Sequence, residues 1–577
     1  MRGKWFQNAA FGAFVHWGLF SIPGGIWNGK ETEYIGEWLQ ARFRIPNREY
    51  EKLAAQFDPV KFDADDWIRQ FHDVGMKYIV FTAKHHEGFS MFRTKASPFN
   101  IVDATPFARD PLAELAAACR KYGLKLGIYY SQFLDWHEPD GGTPAFESKN
   151  LGGVSWGNDW DFPDRSKKDF LSYFNAKVIP QITELLTNYG PVDVLWCDCP
   201  LDMPENCCRK LRELVHTLQP DCLINSRIGH GCQDYCSLGD NQMPGSAIPG
   251  LSESPMTLND TWGWKLNDHN WKSSALVISQ LLSLAEMKTN LLLNVGPKPD
   301  GTFPSETVRI LSEIAEWFRK NGSVLYRSSG NPLAQELDYA YLLREGNKLH
   351  FFPKHEIGKV MVSGISGTVA ASDIPYQWIN EQLHLDFSQI HGLYPKVTLT
   401  FKNDFEIRKI LMPQNGTLPL SAGAAVICNS EEPVTEKTDA SEADADGRLV
   451  TVGSHIKLEC GTLKSWQNPK DKVVWNVCFP EPAVYQVFCT TQSAVHSKPW
   501  VGGRRIEIKC GDSVLQADLH DGVSVGTDYY AAKESMLGEI TIEEPGEHRI
   551  ELHTLALLDP DAVQMDFHSL KFQIVQE

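Results

Sequence analysis

Short apolar stretches alternate with helix-forming stretches over the first 330 residues of this 577-residue chain. The helix 110–123 has clear boundaries, because Asp110 provides an N-cap, Pro111 fits the first turn and Gly123 ends the helix. An alternation of this kind and length favours a parallel α/β fold, with a (β/α)8-like TIM barrel preferred over an open doubly wound sheet. No Gly-rich phosphate loop follows the first strand, which disfavours a dinucleotide fold. We predict strands at 11–17, 77–86, 124–131, 192–198, 222–227 and 290–297.

Beyond residue 330 the pattern changes to short strands separated by turn residues. We therefore predict a barrel at 1–330 and a small β-sandwich at 331–430. The segment 431–448 is acidic and has few apolar residues, so it is interpreted as a linker. Residues 449–577 alternate apolar and polar positions, which predicts a C-terminal β-sandwich. This last domain is either a carbohydrate-binding module or a purely structural one.

Charge and hydropathy exclude two classes of partner. A formal net charge of -18, without a compensating stripe of Lys and Arg, opposes binding to nucleic acid. No run of about 18 apolar residues is present, so membrane insertion is not expected. The 13 Cys lack paired C-x-x-C spacing and are interpreted as free thiols, which favours a reducing compartment. A removed signal would leave the same start, so cytoplasmic and periplasmic or secreted locations both stay open, as does the oligomeric state.

Polar side chains end several of the predicted strands. In a parallel α/β barrel the active site lies at the carboxyl ends of the strands, so such residues converge on one rim. Asp198 is the most informative of them, because it ends the otherwise apolar strand "VDVLWCD". Asp240 and Glu253 on later loops, and the pair Glu37 and Trp38 after the first strand, belong to the same rim. The strand-end residues are His16, Trp17, His85, His86, Tyr130, Asp198 and Arg227.

Carboxylate chemistry fits this rim better than metal or serine/cysteine chemistry. His85 and His86 are adjacent on a predicted strand and have no H-x-H or E-x-x-H companion, so we predict no metal site. No G-x-S-x-G elbow is present, and Cys197 and Cys199 lie on the opposite side of the strand from Asp198. Two carboxylates around a pocket of His, Trp, Tyr and Arg meet the requirement of glycoside hydrolysis. One attacks the anomeric carbon and the other protonates the leaving oxygen.

Several segments of the barrel region resemble the α-L-fucosidases of glycoside hydrolase family 29. The match is dense over about residues 5–330 and covers the last segment poorly. The resemblance implies a (β/α)8-like catalytic barrel, a following β-sandwich, and exo-hydrolysis of terminal α-L-fucose with retention of configuration and without a cofactor. The segments are FGAFVHWGLFS, GEWLQ, KYIVFTAKHHEGFSMF, GIYYS, YGPVDVLWCD, INSRIG with LGDNQMP, NDTWGW, and NLLLNVGPKPDG followed by WFRKNG.

The resemblance also implies roles for individual residues. Asp198 matches the family nucleophile, and Glu253 matches a glutamate that serves as general acid and base. Two departures accompany this match, because Ser252 stands where a Trp often precedes that glutamate, and Gln242 occupies another position for a carboxylate. The residues implied to hold the fucose hydroxyls or to pack on its ring are His16, Glu37, Trp38, His85, His86, Tyr130 (with Tyr129 as the adjacent alternative), Arg227 and Trp262.

Two alternative functions stay open at this stage. A retaining glycosidase for another sugar, such as an α-galactoside, would use the same carboxylates, because the 4-hydroxyl is axial in both sugars. A non-catalytic sugar-binding protein on a degenerate barrel is suggested by Gln242 and Ser252, whereas Asp198 argues against it. In the favoured interpretation the partner is a fucosylated oligosaccharide or glycoconjugate.

Overall fold

A computed structural model describes residues 2–144, 156–380, 382–430, 437–443, 449–452, 455–495, 498–526 and 529–575. In the barrel region, eight strands of the described chain form one parallel sheet. The strands are β1 Phe11–Val15, β2 Tyr78–Lys84, β3 Lys125–Ser131, β4 Val194–Asp198, β5 Leu223–Ile224, β6 Cys236–Ser237, β7 Ser252–Thr257 and β8 Asn290–Val295.

This sheet follows the chain order of a barrel. The strands pair in the order β5-β4-β3-β2-β1-β8-β7-β6, and a parallel bridge between Asn225 and Tyr235 connects the ends of β5 and β6. The predicted (β/α)8-like fold is confirmed. The sequence prediction missed β6 and β7, because β6 has two residues and β7 is the polar, Pro-containing segment SESPMT.

Aromatic rings close the amino-terminal end of the barrel. Phe6, in the helix Lys4–Gln7, packs on Tyr78 and Tyr235 with ring centroids 5.5 and 4.6 Å apart. The Phe6 carbonyl also accepts a hydrogen bond from Asn290, the first residue of β8. Access to the barrel interior is therefore from the carboxyl ends of the strands, as in other barrels of this class.

Helices cover the outside of the barrel and share one apolar core with its strands. The predicted helix at 110–123 is observed as Pro111–Tyr122, where the Asp110 side chain accepts from the Ala113 backbone and Gly123 has φ 74°. The other main helices of this region are Leu39–Phe43, Asn47–Tyr50, Ala64–Val74, Phe170–Tyr173, Ile179–Asn188 (which follows a π turn at Phe174–Val178), Glu205–Leu218, Ser274–Glu286 and Ser305–Asn321.

A small β domain with its own apolar core follows the barrel. It attaches to the last barrel helix, where Trp317 Nε1 donates to the Leu393 carbonyl at 3.1 Å. One sheet contains Ala340–Glu345, Lys348–Pro353, Val397–Phe401 and Val369–Ser372. The other contains Lys359–Val362, Gln382–Asp386 and Tyr376–Ile379, and Ile365–Ser366 pairs separately with Glu406–Ile407.

The C-terminal sandwich includes two strands that precede residue 430. Thr417–Ser421 pairs with Met565–Ile574, and Val426–Cys428 pairs with Lys472–Phe479. The strands of this domain therefore begin by Thr417. The sequence pattern does not show this, because local alternation does not reveal a partner about 150 residues away. Its other strands are Lys457–Glu459, Thr462–Lys464, Ala483–Ser493, Arg504–Cys510, Ser513–Leu519, Val523–Ser524, Ala532–Ile542 and Gly546–Leu557.

The segment predicted as a linker, 431–448, contains one described strand, Lys437–Ala443, which pairs with Leu449–Val452 just after it. Its residues 431–436 and 444–448 lie outside the described residues. The sandwich contacts the barrel directly, because Ser246 Oγ donates to the Gly461 carbonyl at 3.0 Å and the Sγ atoms of Cys236 and Cys460 are 3.8 Å apart. Among the described helices, none combines the length and the apolar character needed to cross a membrane.

Candidate active site

Asp198 is the last residue of β4 and lies at the open mouth of the barrel with 8% of its surface exposed. Its carboxylate accepts three hydrogen bonds, from Tyr129 Oη at 2.7 Å, Arg227 Nη1 at 3.0 Å and the Cys199 backbone N–H at 2.9 Å. Its own N–H donates to Gln132 Oε1 at 2.8 Å. Charge-assisted donors of this kind stabilise the ionised carboxylate and fix its orientation.

Tyr129, and not Tyr130, faces this site. Successive residues of a strand point to opposite faces, and here Tyr129 reaches Asp198 while Tyr130 Oη donates to Gln181 Oε1 at 2.7 Å on the helix side. The prediction for Tyr130 is therefore corrected to the adjacent residue. The Tyr129 ring also stacks on His85, with centroids 5.5 Å apart and planes 11° apart.

Arg227 connects Asp198 to a second carboxylate. Its Nη1 binds Asp198, while its Nη2 donates to Asp240 Oδ1 at 2.6 Å and to the Leu238 carbonyl at 3.1 Å. The guanidinium lies over the Trp196 ring, 4.7 Å from its centroid. The Asp240 side chain is 26% exposed and that of Asp198 is 11% exposed, so both carboxylates lie at the accessible mouth.

His16, the residue after β1, is held as a neutral hydrogen-bond acceptor. Its Nδ1 lies 2.7 Å from Asn294 Oδ1, and the amide of Asn294 is oriented by donating to the Trp262 carbonyl. Burial, assisted by the nearby His85, lowers the pKa of His16 to about 3. A proton on Nδ1 leaves Nε2 free of hydrogen, so this atom can accept a hydrogen bond from a sugar hydroxyl.

His85 and His86 follow β2, which ends at Lys84, and both contact residues of the mouth, since His85 stacks on Tyr129 and His86 lies beside Asp198. Their ring centroids are 4.1 Å apart. His86 Nε2 lies 3.7 Å from Asp198 Oδ2, while its Nδ1 is 2.7 Å from Ser131 Oγ. Burial lowers the pKa of His86 well below its usual value, and the neighbouring His85 and Lys84 add to this effect.

Glu37 presents a buried oxygen to the same space. Its Oε2 accepts from Thr261 Oγ1 at 3.1 Å and from the Gly263 N–H at 2.9 Å, whereas Oε1 is buried without a hydrogen-bond partner among the described residues. Burial raises the pKa of Glu37 to about 6. A buried acceptor without a partner is costly unless a ligand satisfies it, which suits a sugar hydroxyl.

Aromatic rings form the walls around these polar groups. Trp262 packs on His16 at 5.2 Å between centroids, and Trp38 packs on His86 at 5.1 Å. Below them, Phe14 contacts Trp196 at 4.9 Å. Flat aromatic faces of this kind cover the apolar face of a pyranose ring, while the histidines and Glu37 can bind its hydroxyls.

Glu253 does not join this group. It is the second residue of β7, fully buried, and its carboxylate accepts from Tyr78 Oη at 2.5 Å and Trp196 Nε1 at 2.8 Å. Tyr78 packs on Phe6 at the closed end of the barrel, so Glu253 lies on the side of Trp196 away from the mouth. Burial raises the pKa of Glu253 to about 7. Without access to solvent or to the mouth, this carboxyl cannot reach a glycosidic oxygen, which corrects the predicted role.

The two departures from the family pattern are structural. Gln242 Oε1 accepts from the Gly239 N–H at 3.0 Å and its carbonyl accepts from Ser254 Oγ, which fixes the loop that carries Asp240. Ser252 Oγ lies 2.8 Å from Thr289 Oγ1 within the barrel wall. Neither residue therefore bears on whether the mouth can act as a catalyst.

One group of side chains could hold a metal ion. His86, Asp198 and Cys199 offer ligand atoms that lie within 4.8 Å of one another. Asp198 is already bound by the Arg227 cation, however, and burial raises the pKa of the Cys199 thiol well above its usual value. Both effects disfavour a cation here, so the donor set fits metal binding poorly.

Three residues of the site have no strong signal in the sequence. Gln132 and Asn294 act by orienting Asp198 and His16, and amides in such positions look like ordinary polar residues. The sequence identifies Asp240 only as an acidic residue on the rim. The GD pair in "LGDNQMP" identifies it, but its approach to Asp198 depends on Arg227 and on the fold.

Comparisons with known proteins identify the family that the chain resembles in sequence and fold. The family model "Alpha-L-fucosidase" matches residues 2–323. Human plasma alpha-L-fucosidase is 29% identical over 349 residues, which cover 56% of this chain and 69% of that protein. The alpha-L-fucosidase from Vibrio sp. strain EJY3 is 26% identical with a TM-score of 0.79, and the match covers 98% of this chain and 97% of that one.

The alpha-L-fucosidase AlfC from Lactobacillus casei, solved in complex with alpha-L-fucose product, is 42% identical with a TM-score of 0.52. That match covers 54% of this chain and 96% of AlfC. A variant of AlfC has been solved in complex with Fuca(1,6)GlcNAc.

Proposed function

The chain belongs to the alpha-L-fucosidase family and is a glycoside hydrolase; from this premise we propose that it releases terminal α-L-fucose by double displacement. Asp198 is the nucleophile, and Asp240 is the general acid and base. The observation that carries this assignment is the Arg227 guanidinium, which binds one carboxylate with each of its two terminal nitrogens at the barrel mouth. Retaining glycosidases use two carboxyl groups only about 5–5.5 Å apart, so one cation that binds two carboxylates at the mouth suits this arrangement.

In the first step an oxygen of Asp198 attacks C1 of fucose, and the bond from C1 to the glycosidic oxygen breaks. The proton of Asp240 passes to that departing oxygen, so the leaving group departs as a neutral alcohol. The donors Tyr129 and Arg227 support this step by holding the attacking carboxylate ionised and in one orientation.

In the second step the Asp240 carboxylate removes a proton from water. The water oxygen attacks C1, the bond to Asp198 breaks, and fucose leaves with the configuration it had in the substrate. Asp240 regains its proton and Asp198 regains its charge, which completes the cycle.

Fucose recognition follows from the charge state of the lining residues. The lowered pKa values of His16 and His86 make both imidazoles neutral acceptors and donors at physiological pH. The unpartnered Glu37 Oε1 adds one strong acceptor, and Trp38 and Trp262 cover the ring. Since AlfC binds Fuca(1,6)GlcNAc, we propose fucosylated glycans as the substrates of this chain.

The experiment is to incubate the enzyme with Fuca(1,6)GlcNAc and to follow the anomer of free fucose by NMR before mutarotation. Early release of α-L-fucose supports double displacement, whereas early β-L-fucose refutes it and implies direct attack by water. A fluorinated fucosyl fluoride that forms a slow intermediate should label Asp198, as detected by mass spectrometry of the peptide that contains it.

A further inference from the structure

A second cleft lies beside the proposed fucose site, at the junction of the barrel and the C-terminal sandwich. It has a volume of about 530 Å³, within the range of ligand pockets. Three segments that are distant in sequence form it: the loop after β1, the loop after β7, and one tyrosine of the C-terminal sandwich. Its lining residues are Glu33, Tyr34, Ile35, Asp260, Thr261, Lys265, Asn267, Asp268, His269, Asn270 and Tyr529.

The cleft shares a wall with the catalytic mouth. Thr261 lines the cleft, yet its hydroxyl donates to Glu37 Oε2 and accepts from the Gly36 N–H at 2.8 Å. Tyr34 lines it as well, and its ring lies 6.3 Å from that of Trp38. A molecule bound in the cleft would therefore lie next to a fucose held by Glu37 and Trp38.

Tyr529 is the contribution of the C-terminal sandwich. It lies between Val523–Ser524 and Ala532–Ile542, strands of that domain, and its Oη donates to the Asp260 carbonyl at 3.1 Å. Burial raises the pKa of Tyr529 well above its usual value, and the nearby Tyr34, Asp240 and Glu37 add to the shift. Through its contact with Asp260, Tyr529 brings the C-terminal sandwich into the same cleft wall as Thr261, the residue that binds Glu37.

The lining chemistry suits a sugar. Two tyrosine rings offer flat apolar faces, and the other residues are mostly carboxylates, amides, Lys265 and His269, which bind hydroxyl and amide groups. An apolar ligand would displace water from these polar groups without offering them hydrogen bonds, so it fits the cleft poorly.

We propose that this cleft is the subsite for the leaving-group sugar of a fucosylated glycan, and that the C-terminal sandwich supplies Tyr529 as its aromatic wall. This inference rests on the function proposed above, because a leaving-group subsite has a role only beside a working fucose site. It makes the C-terminal domain part of substrate binding and not a detached accessory.

The test compares Tyr529→Ala with the wild type on two substrates, Fuca(1,6)GlcNAc and α-L-fucosyl fluoride. The fluoride leaving group is a single atom that does not fill the cleft. Because an aromatic contact is worth about 0.5–1.5 kcal/mol beyond the buried area, we expect kcat/KM on the disaccharide to fall about two- to twelve-fold more than on the fluoride. The loss should appear mainly in KM, as for an interaction made equally in the ground and transition states.

Matched variants make the result decisive. Tyr529→Phe keeps the ring and should retain most activity, whereas Tyr529→Leu fills the space without an aromatic face and should resemble Tyr529→Ala. Tyr376→Ala, at an exposed tyrosine of the small β domain, is the control for surface substitution. Equal losses on both substrates, or none on the disaccharide, would overturn the inference. A wild type that hydrolyses neither substrate would instead refute the proposed function itself.

Discussion

Asp240→Asn tests the assignment of the acid most directly. The amide keeps the shape of the side chain and an oxygen for Arg227 Nη2, but it cannot donate the proton that an alcohol leaving group needs. We expect kcat/KM on Fuca(1,6)GlcNAc to fall by about 10²–10⁴-fold, the usual contribution of general acid catalysis, which equals about 3–5.5 kcal/mol. Loss of the ion pair with a part-exposed carboxylate accounts for only about 1 kcal/mol of that.

The assay uses 4-nitrophenyl α-L-fucoside as the second substrate. Nitrophenolate leaves without a proton, and kcat/KM reports only the steps up to its departure, so this value should stay within about tenfold of the wild type. The kcat value should fall further, because no base then activates water, and added azide should raise it.

Glu253→Gln is the matched control, with the same change from carboxyl to amide at a buried site. Because Glu253 contacts Tyr78 and Trp196, we expect a loss of kcat/KM that is smaller than in Asp240→Asn and the same on both substrates. Equal losses of Asp240→Asn on the two substrates would refute the assignment. A loss confined to the disaccharide in Glu253→Gln would restore Glu253 as the acid.

Three further outcomes are expected. Asp198→Ala should lower fucose release at least about 10⁴-fold with an unchanged far-UV circular dichroism spectrum, and near wild-type turnover would exclude Asp198 as the nucleophile. Tyr129→Phe should lower kcat/KM for fucose release by about tenfold, because the carboxylate of Asp198 loses a donor that orients it, whereas Tyr130→Phe, which removes a hydrogen bond to Gln181 on the helix side, should leave kcat/KM close to the wild-type value. His16 has a folded pKa of about 3 and an ordinary value of 6.5, so the unfolded chain binds more protons between these values and stability falls as the pH falls through this window. His16→Asn should therefore flatten the pH dependence of urea unfolding between pH 6.5 and 3, and an unchanged slope would contradict the neutral state of His16.

Strand-end residues could be predicted where strands are apolar and clearly bounded. Asp198 and His16 follow such strands, and the carboxyl ends of parallel strands meet at one mouth whatever the details of packing. The sequence does not distinguish Tyr130 from Tyr129, because β3 is buried on both faces apart from its first residue. The pattern therefore does not reveal which of the two adjacent tyrosines points inward. The resemblance could not resolve a choice of one residue either.

The predicted position of Glu253 differs from the structure for another reason. The segment SESPMT looks like a loop, so Glu253 was assigned to the rim, but the segment is a barrel strand and Glu253 is near its start. Tertiary pairing with β8 overrides the weak local preference for a strand. The role of Tyr529 could not be predicted from the sequence, because its contact with Asp260 spans 269 positions and no local pattern indicates it.

The arrangement of Arg227 gives the two carboxylates different roles. Its two terminal nitrogens bind one carboxylate each, at 3.0 Å for Asp198 and 2.6 Å for Asp240. Asp198 accepts three donors and is 11% exposed, whereas Asp240 is 26% exposed and has Arg227 as its hydrogen-bond donor among the described contacts. In the proposed mechanism the more tightly held Asp198 is therefore the nucleophile, and the more exposed Asp240 exchanges the proton. Once Asp198 is bonded to fucose its charge is gone, and Arg227 then stabilises Asp240 as the carboxylate that activates water.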